Sequence, residues 1–181
     1  MNNTQDGLHA IAELLAFDHS TGSAGAALLL LECGDCECPS CGEGEPITRH
    51  LIDAFGDRSR FVVRHFPSAE HPYAEIAAEK VEAAGVQGMF WPMHHLLFTH
   101  RQRLEPDALT HYAEMAGLDM RRFATAMAYR TYMPRVREHR RSGEQIGLHG
   151  SPGFFLRGKV VDVSFGLEHL EHAIRAALGK A

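Results

Sequence analysis

From Ala26 to Leu31 the chain is apolar without interruption, and it then turns abruptly to charge, glycine and cysteine. A short apolar run bounded by turn residues fits a strand buried on both faces. Arg60-Phe61-Val62-Val63-Arg64-His65-Phe66, β-branched and aromatic and closed by Pro67, predicts a second strand. Between the two, Pro46, Ile47, Leu51, Ile52 and Phe55 recur at helical spacing, which predicts a helix from Pro39 to about Phe55 with a stop at Gly56-Asp57. Strand, helix and strand of these lengths form a βαβ unit with parallel strands.

The pattern before and after this unit is different. Leu8, Ile11, Ala12 and Leu15 predict a short N-terminal helix, and Asp18 to Gly25 read as a flexible loop. Beyond the unit, four stretches carry the 3.6-residue period. Tyr73, Ile76, Ala77, Val81 and Ala84 form the first, and Phe90 to Phe98 the second. A third opens at Pro106 and runs to Gly117; a fourth is capped by Asp119, carries Met120, Phe123, Ala124 and Met127, and is kinked or ended by Pro134. Phe154-Phe155-Leu156 and Val160-Val161-Asp162-Val163, joined by Arg157-Gly158-Lys159, predict a hairpin, and Ser164 can cap a last helix with Leu167, Leu170, Ile174 and Leu178 on one face. The expected division is 1–25, N-terminal helix and loop; 26–70, a first βαβ half; 71–146, a helical insertion packed as a lid or side wall; and 147–181, a second ββα half. This order is an α/β thioredoxin fold with a helical insertion.

Composition narrows the partners. At 181 residues and 45% hydrophobic, the chain can bury one full core. A formal charge of −5 offers no general attraction to nucleic acid or to an anionic membrane, so neither partner is expected. Met1 to Asp6 lack a basic leader region, and no stretch approaches the roughly 18 apolar residues of a membrane span, which points to the cytoplasm.

All 4 cysteines fall between positions 33 and 41, at the seam of the first strand and the helix after it. Such crowding suits redox catalysis or metal binding better than structural disulfides. Cys38-Pro39-Ser40-Cys41 places one thiol at a helix N-terminus, where unpaired N–H groups favour a thiolate, and returns the second to the same side one turn on. Pro39 suits the first helical position because it lacks an N–H. Glu32, ending an apolar strand, is either a buried acid with a purpose or a salt-bridged or edge-exposed one. Glu37, Glu43 and Glu45 tune the local potential. Cys33 and Cys36 admit three readings: a second dithiol relay, part of a four-thiolate zinc or iron–sulfur site, or small buried hydrophobes. Crowding across a strand end and a helix start argues against the metal. The 13 histidines show no ligand motif, and His94 and His95, being adjacent, should point apart. Arg135, Arg137, Arg140 and Arg141 read as a solvated helix face.

Four segments together resemble a known family: Glu32-x-Gly34-Asp35-x-Glu37-Cys38-Pro39-x-Cys41-Gly42, Phe61-Val62-Val63-Arg64-His65-Phe66-Pro67, Phe90-Trp91-x-Met93-His94-x-Leu96-Leu97-Phe98 and Gly150-Ser151-Pro152-x-Phe154-Phe155. The chain is similar to DsbA-like thioredoxin-fold thiol–disulfide oxidoreductases of the bacterial cytosolic type. The resemblance implies that Cys38 is the nucleophile, Cys41 the resolving thiol and Glu32 the acid that exchanges a proton with Cys41. It further implies a cis Ser151-Pro152 loop facing the sulfurs; Pro39, Ser40, Ser151, Pro152 and His149 are then the expected substrate contacts, and the loop would bring the His149 imidazole near the sulfurs, where its cation supports a thiolate. No cofactor beyond the Cys38–Cys41 disulfide and no metal is implied. The implied partners are protein or small-molecule thiols and disulfides and a separate redox partner. Positions 33 and 36 depart from the family, which usually has aromatic or aliphatic residues there, and Gly153 stands where a β-branched residue is usual. The rival readings are a metal-binding or redox-sensing module built on the four cysteines, and a glutathione-dependent isomerase or transferase, against which the intact Cys-Pro-Ser-Cys speaks.

Overall fold

The strand β2 (Leu28–Gly34) opens on four leucines because both of its faces are covered. Leu28 and Leu30 pack with Leu51, Phe55, Phe61, Phe154, Leu170 and Ile174 on one face, while Leu31 and Cys33 pack with Val62, Phe66 and Phe155 on the other. The helix α1 (Pro39–Phe55) carries the chain from β2 to the parallel strand β3 (Ser59–His65). On the opposite side β2 pairs antiparallel with β4 (Gly153–Leu156), which pairs in turn with β5 (Lys159–Val161). The structure, a computed structural model, describes residues 14–164, 166 and 168–179. The N-terminal helix expected at Leu8, Ile11 and Ala12 lies outside the described residues, as does Leu167.

One strand was not legible in the periodicity. Residues expected to be loop form β1 (His19–Gly22), antiparallel to β3, so the sheet runs β1-β3-β2-β4-β5. The Ser23 N–H also bonds the carbonyls of Gly56 and Ser59, at 2.7 and 3.0 Å, which pins the end of β1 against the turn after α1. The β4–β5 turn is shorter than expected. Arg157 and Gly158 both take positive φ, 50° and 74°, as a two-residue type I′ turn requires, and Lys159 pairs with Leu156.

Between β3 and β4 lie α2 (Ala74–Gly85), α3 (Phe90–Thr99), α4 (Pro106–Met115), α5 (Met120–Ala128) and α6 (Met133–Gln145). The Asp119 carboxylate caps α5 by accepting from the N–H groups of Arg121 and Arg122. Pro134 does not merely end α5: it sits in the first turn of α6, where a missing N–H costs nothing, so five helices stand where four were expected. The basic run is also less free than expected. Arg135 reaches the buried Glu82 at 3.5 Å, and Arg140 donates to the Pro67 carbonyl at 3.2 Å.

Helix α2 is buried almost all round, including Glu79, Lys80 and Glu82. Such charges are tolerated only with partners. Glu79 accepts from Arg130 Nε at 2.6 Å and from the Met133 N–H at 3.1 Å, and Lys80 Nζ donates to the Pro106 carbonyl and to Thr110 Oγ1. Closing the chain, α7 (Glu168–Leu178) lays Leu170 and Ile174 on the same sheet face as α1. The whole is a thioredoxin fold with a helical insertion.

Candidate active site

The chain leaves β2 at Gly34 and turns on Asp35, whose side chain accepts from the Glu37 N–H at 2.8 Å, before Cys38 takes the N-cap position of α1 with φ −66° and ψ 126°. No side chain caps this helix. The Cys38 sulfur lies in that place instead, and the Cys41 thiol, the Cys41 and Ser40 N–H groups and Ser151 all favour its anion, which holds its pKa at about 5. Cys41 is wholly buried beneath it. The Asp35 N–H donates to its sulfur at 3.4 Å, yet the bond to Cys38 and the loss of water push the Cys41 thiol far up. The site thus separates an exposed-side anion from a dry, protonated partner.

Glu32 occupies the β2 position at which the alternation of Leu28 and Leu30 would put a third apolar side chain under α1. It is buried, and desolvation, with Glu45 nearby, raises its pKa to about 7. A cavity of about 350 Å³ opens beside it, walled by Leu30, Thr48, Ile52, Phe61 and Trp91. The cavity gives the carboxyl a way to solvent from below the sulfurs. His94 and His95, expected to point apart, both line it. His94, half-buried, packs its ring against Phe90 and Phe98, and desolvation drops its pKa to about 3.

Facing the cysteines, the Ser151-Pro152 peptide bond is cis, and the protonated Cys38 thiol lies 3.4 Å from the Ser151 carbonyl that can accept from it. Pro39 and Ser40 are exposed next to Cys38, while Ser151 and Pro152 are half-buried. His149 is exposed and lines a polar cavity of about 390 Å³ with Pro67, Arg140 and Ser151. One imidazole that feels the Cys38 anion is His71. Its Nδ1 lies 2.7 Å from Asp35 Oδ2, and this contact, with the Cys38 charge contributing, raises its pKa. Asp35 also accepts from the Ser68 N–H at 2.9 Å, so one buried carboxylate holds the turn before Cys38, the segment after β3 and His71 together. Sequence gave no spacing cue for this group, since His71 lies far from Cys38 in the chain. Glycine at 153 has a local cause: a Cβ there would meet Leu148 Cδ1 at 2.5 Å, so Leu148 fills the room a β-branched side chain would need.

The remaining cysteines do not join the pair as a ligand set. Cys36 packs with Cys38 and Cys41, whereas Cys33 packs on the other side with Leu31, Val62, Phe66 and Phe155. Burial pushes the Cys33 thiol to about 12 and Cys36 higher still, so both are neutral, small apolar side chains. Among the described residues, the group whose ligand atoms could converge on a metal contains no cysteine; it is His65, Glu82 and His139, all buried.

Three comparisons place this geometry among known proteins. A protein-family model described as Thioredoxin matches residues 16–176. The Na(+)/H(+) antiporter NhaA 1 of Salinispora arenicola is 41% identical over 161 residues, which cover 88% of this chain and 24% of that protein. The chain therefore spans about a quarter of the length of the curated relatives it matches. Among solved structures, the thiol-disulfide exchange protein alpha-DsbA2 of Wolbachia pipientis superposes with a TM-score of 0.84 at 14% identity, covering 97% of this chain and 96% of that one. Oxidised BdbD of Bacillus subtilis superposes with a TM-score of 0.81 at 18% identity, covering 90% and 94%. At these identities the two structures bear on the fold.

Proposed function

Because the chain belongs to the thioredoxin family, whose model spans nearly all of it, we propose that it is a thiol–disulfide oxidoreductase working through a mixed disulfide on Cys38. The observation that carries the reading is the opposed pair: a Cys38 thiol held at about 5 and a Cys41 thiol buried beneath it and pushed up. A thiolate is the attacking species in disulfide exchange, and at neutral pH Cys38 is one. It attacks one sulfur of a substrate disulfide, forming a mixed disulfide and releasing the other sulfur as a thiolate. Cys41 then loses its proton to the Glu32 carboxylate and attacks Cys38 Sγ, which forms the Cys38–Cys41 disulfide and frees the second substrate sulfur. Two electrons pass to the substrate. Run backwards, the same steps oxidise a substrate dithiol, with Glu32 returning the proton to Cys41. Glu32 suits this exchange because a pKa near 7 lets it both take and give a proton at neutral pH.

The substrates proposed are protein or small-molecule thiols and disulfides, met across the cis-proline loop by Pro39, Ser40, Ser151 and Pro152. The helical insertion forms the side wall, and a separate redox partner resets the pair. The proposed compartment is the cytoplasm. Among the described residues no helix is long and apolar enough to cross a membrane. In the Salinispora arenicola relative the matching stretch is a quarter of an antiporter's chain, so there the same exchange would run beside a transporter.

The test is a Cys41→Ser variant offered an excess of a disulfide substrate. A mixed disulfide on Cys38 should accumulate, visible by mass spectrometry and lost on reduction. Turnover by this variant at the wild-type rate, or adducts confined to Cys33 or Cys36, refutes the mechanism.

A further inference from the structure

Where β3 ends against the helical insertion, a second chemical site is assembled from residues that sequence spacing hides. His65 ends β3, Glu82 lies on α2 and His139 on α6, and each is at most 3% exposed. His65 Nε2 is 3.1 Å from Glu82 Oε1, His139 Nδ1 is 4.0 Å from the same oxygen, and the three ligand atoms lie within 4.8 Å of one another. Around them Asp18 Oδ1 is 3.3 Å from His139 Nε2, while His19 Nε2 lies 3.1 Å and Arg135 Nη1 3.5 Å from Glu82 Oε2.

The tautomers follow from the contacts. His139 Nδ1 accepts the His65 backbone N–H at 3.3 Å, so its proton sits on Nε2, facing Asp18. Glu82 Oε1 accepts in turn from His65 Nε2 at 3.1 Å, so Nδ1 and this oxygen, 4.0 Å apart, converge with the His65 ring on one dry point. Each of these two acceptors is met by a single N–H of His65, and a cation placed between them would satisfy both at once. The Asp18 carboxylate is already neutralised by Arg64, which donates to it from Nε at 2.9 Å and from Nη2 at 2.7 Å, so its countercharge is not available to the pocket. Glu82 carries a charge whose nearest guanidinium is only at the edge of contact.

We infer that His65, Glu82 and His139 form a binding site for a divalent transition metal ion, such as zinc, that fastens the helical insertion to the sheet. Two imidazoles and a carboxylate are the ligand types zinc takes, at about 2.0–2.2 Å each, and a tetrahedral set then needs ligand edges near 3.4 Å. The His65–Glu82 edge is already short of that, and the His139 edges close by up to about 1.4 Å, with His139 Nδ1 and His65 Nε2 each giving up a hydrogen bond. Asp18 behind His139 and His19 behind Glu82 are the outer partners that orient metal ligands. The site shares no residue with the cysteine pair and stands or falls independently of the redox reading.

The experiment is a titration of metal-free, full-chain protein, with the Cys38–Cys41 pair oxidised, by Co(II) and by Zn(II). One equivalent of Co(II) should give visible d–d bands without the near-ultraviolet band of thiolate ligands. Zn(II) at a hundred times its dissociation constant should raise the thermal midpoint by about 5–10 °C. Glu82→Gln and His139→Gln, checked for wild-type circular dichroism, should each lower metal affinity by at least tenfold. If neither variant folds, the wild-type spectrum and stoichiometry decide alone. Absence of binding to the wild-type protein, a thiolate band in its Co(II) spectrum, or unchanged affinity in both folded variants overturns the inference.

Discussion

Replacing Cys41 by alanine tests the electrostatic core of the site, because the Cys41 thiol is the largest single cause of the low Cys38 pKa. A hydrogen bond to a charged acceptor contributes about 1.5–3 kcal/mol, which is about 1–2 pH units of differential stabilisation of the anion. The Ser40 and Cys41 N–H groups remain, so the Cys38 midpoint should rise from about 5 to about 6–7 rather than return to 9. At pH 5 the thiolate fraction then falls from about one half to between about 10% and 1%. The surviving thiolate is a stronger nucleophile, by about 3–10-fold at the usual Brønsted slope. Alkylation of the variant by iodoacetamide should therefore be about 2–5-fold slower than wild type at pH 5 and faster at pH 8, with the two rate profiles crossing between. Thiolate absorbance at 240 nm, followed from pH 3 to 10, reads the midpoints directly. A wild-type midpoint above 8, or a variant midpoint equal to wild type, would refute the argument.

Three further outcomes follow from the same geometry. Glu32 is raised in the folded chain above its ordinary 4.5, so it withholds no stability below that pH and costs about 3 kcal/mol as the pH climbs through 7; urea denaturation of Glu32→Gln at pH 5 and pH 8 should lack this loss, and an equal loss in both proteins would count against a buried acid. Under native conditions, iodoacetamide should label Cys38 and leave Cys33 and Cys36 intact until the chain is unfolded, as peptide mapping can show; native labelling of either contradicts their burial. Gly153→Val should destabilise by about 1–3 kcal/mol through collision with Leu148, and adding Leu148→Ala should recover part of that, a coupling that a double-mutant cycle by thermal melting measures and that additive losses would deny.

What could be read from the residues divides along physical lines. The βαβ unit and the pair at Cys38 and Cys41 were legible because continuous apolar runs, helical spacing and helix-start chemistry are local signals. The strand His19–Gly22 was not: it is short and polar, and it exists because β3 offers it an edge to pair with. Pro134 misled because the same ring that breaks one helix begins another, and only the turn at Arg130, with φ 49°, shows which role it takes. Glu32 was visible as a charge out of pattern, but its burial was not. Asp35 with His71, and His65 with Glu82 and His139, are tertiary assemblies whose members come from separate elements, so no linear motif could announce them.

The N-cap position of Cys38 ties the folding of this chain to its electrons. In the reduced state the sulfur is the anion that the first turn of α1 lacks from any other side chain; once the sulfur is bonded to another, that turn loses its anionic cap. A thermodynamic box then requires that whatever the folded chain gains by holding the thiolate is gained by the reduced form alone. To that extent folding and reduction favour one another. Amide hydrogens of Ser40 and Cys41 should exchange faster with solvent after oxidation, so that α1 itself reports the redox state.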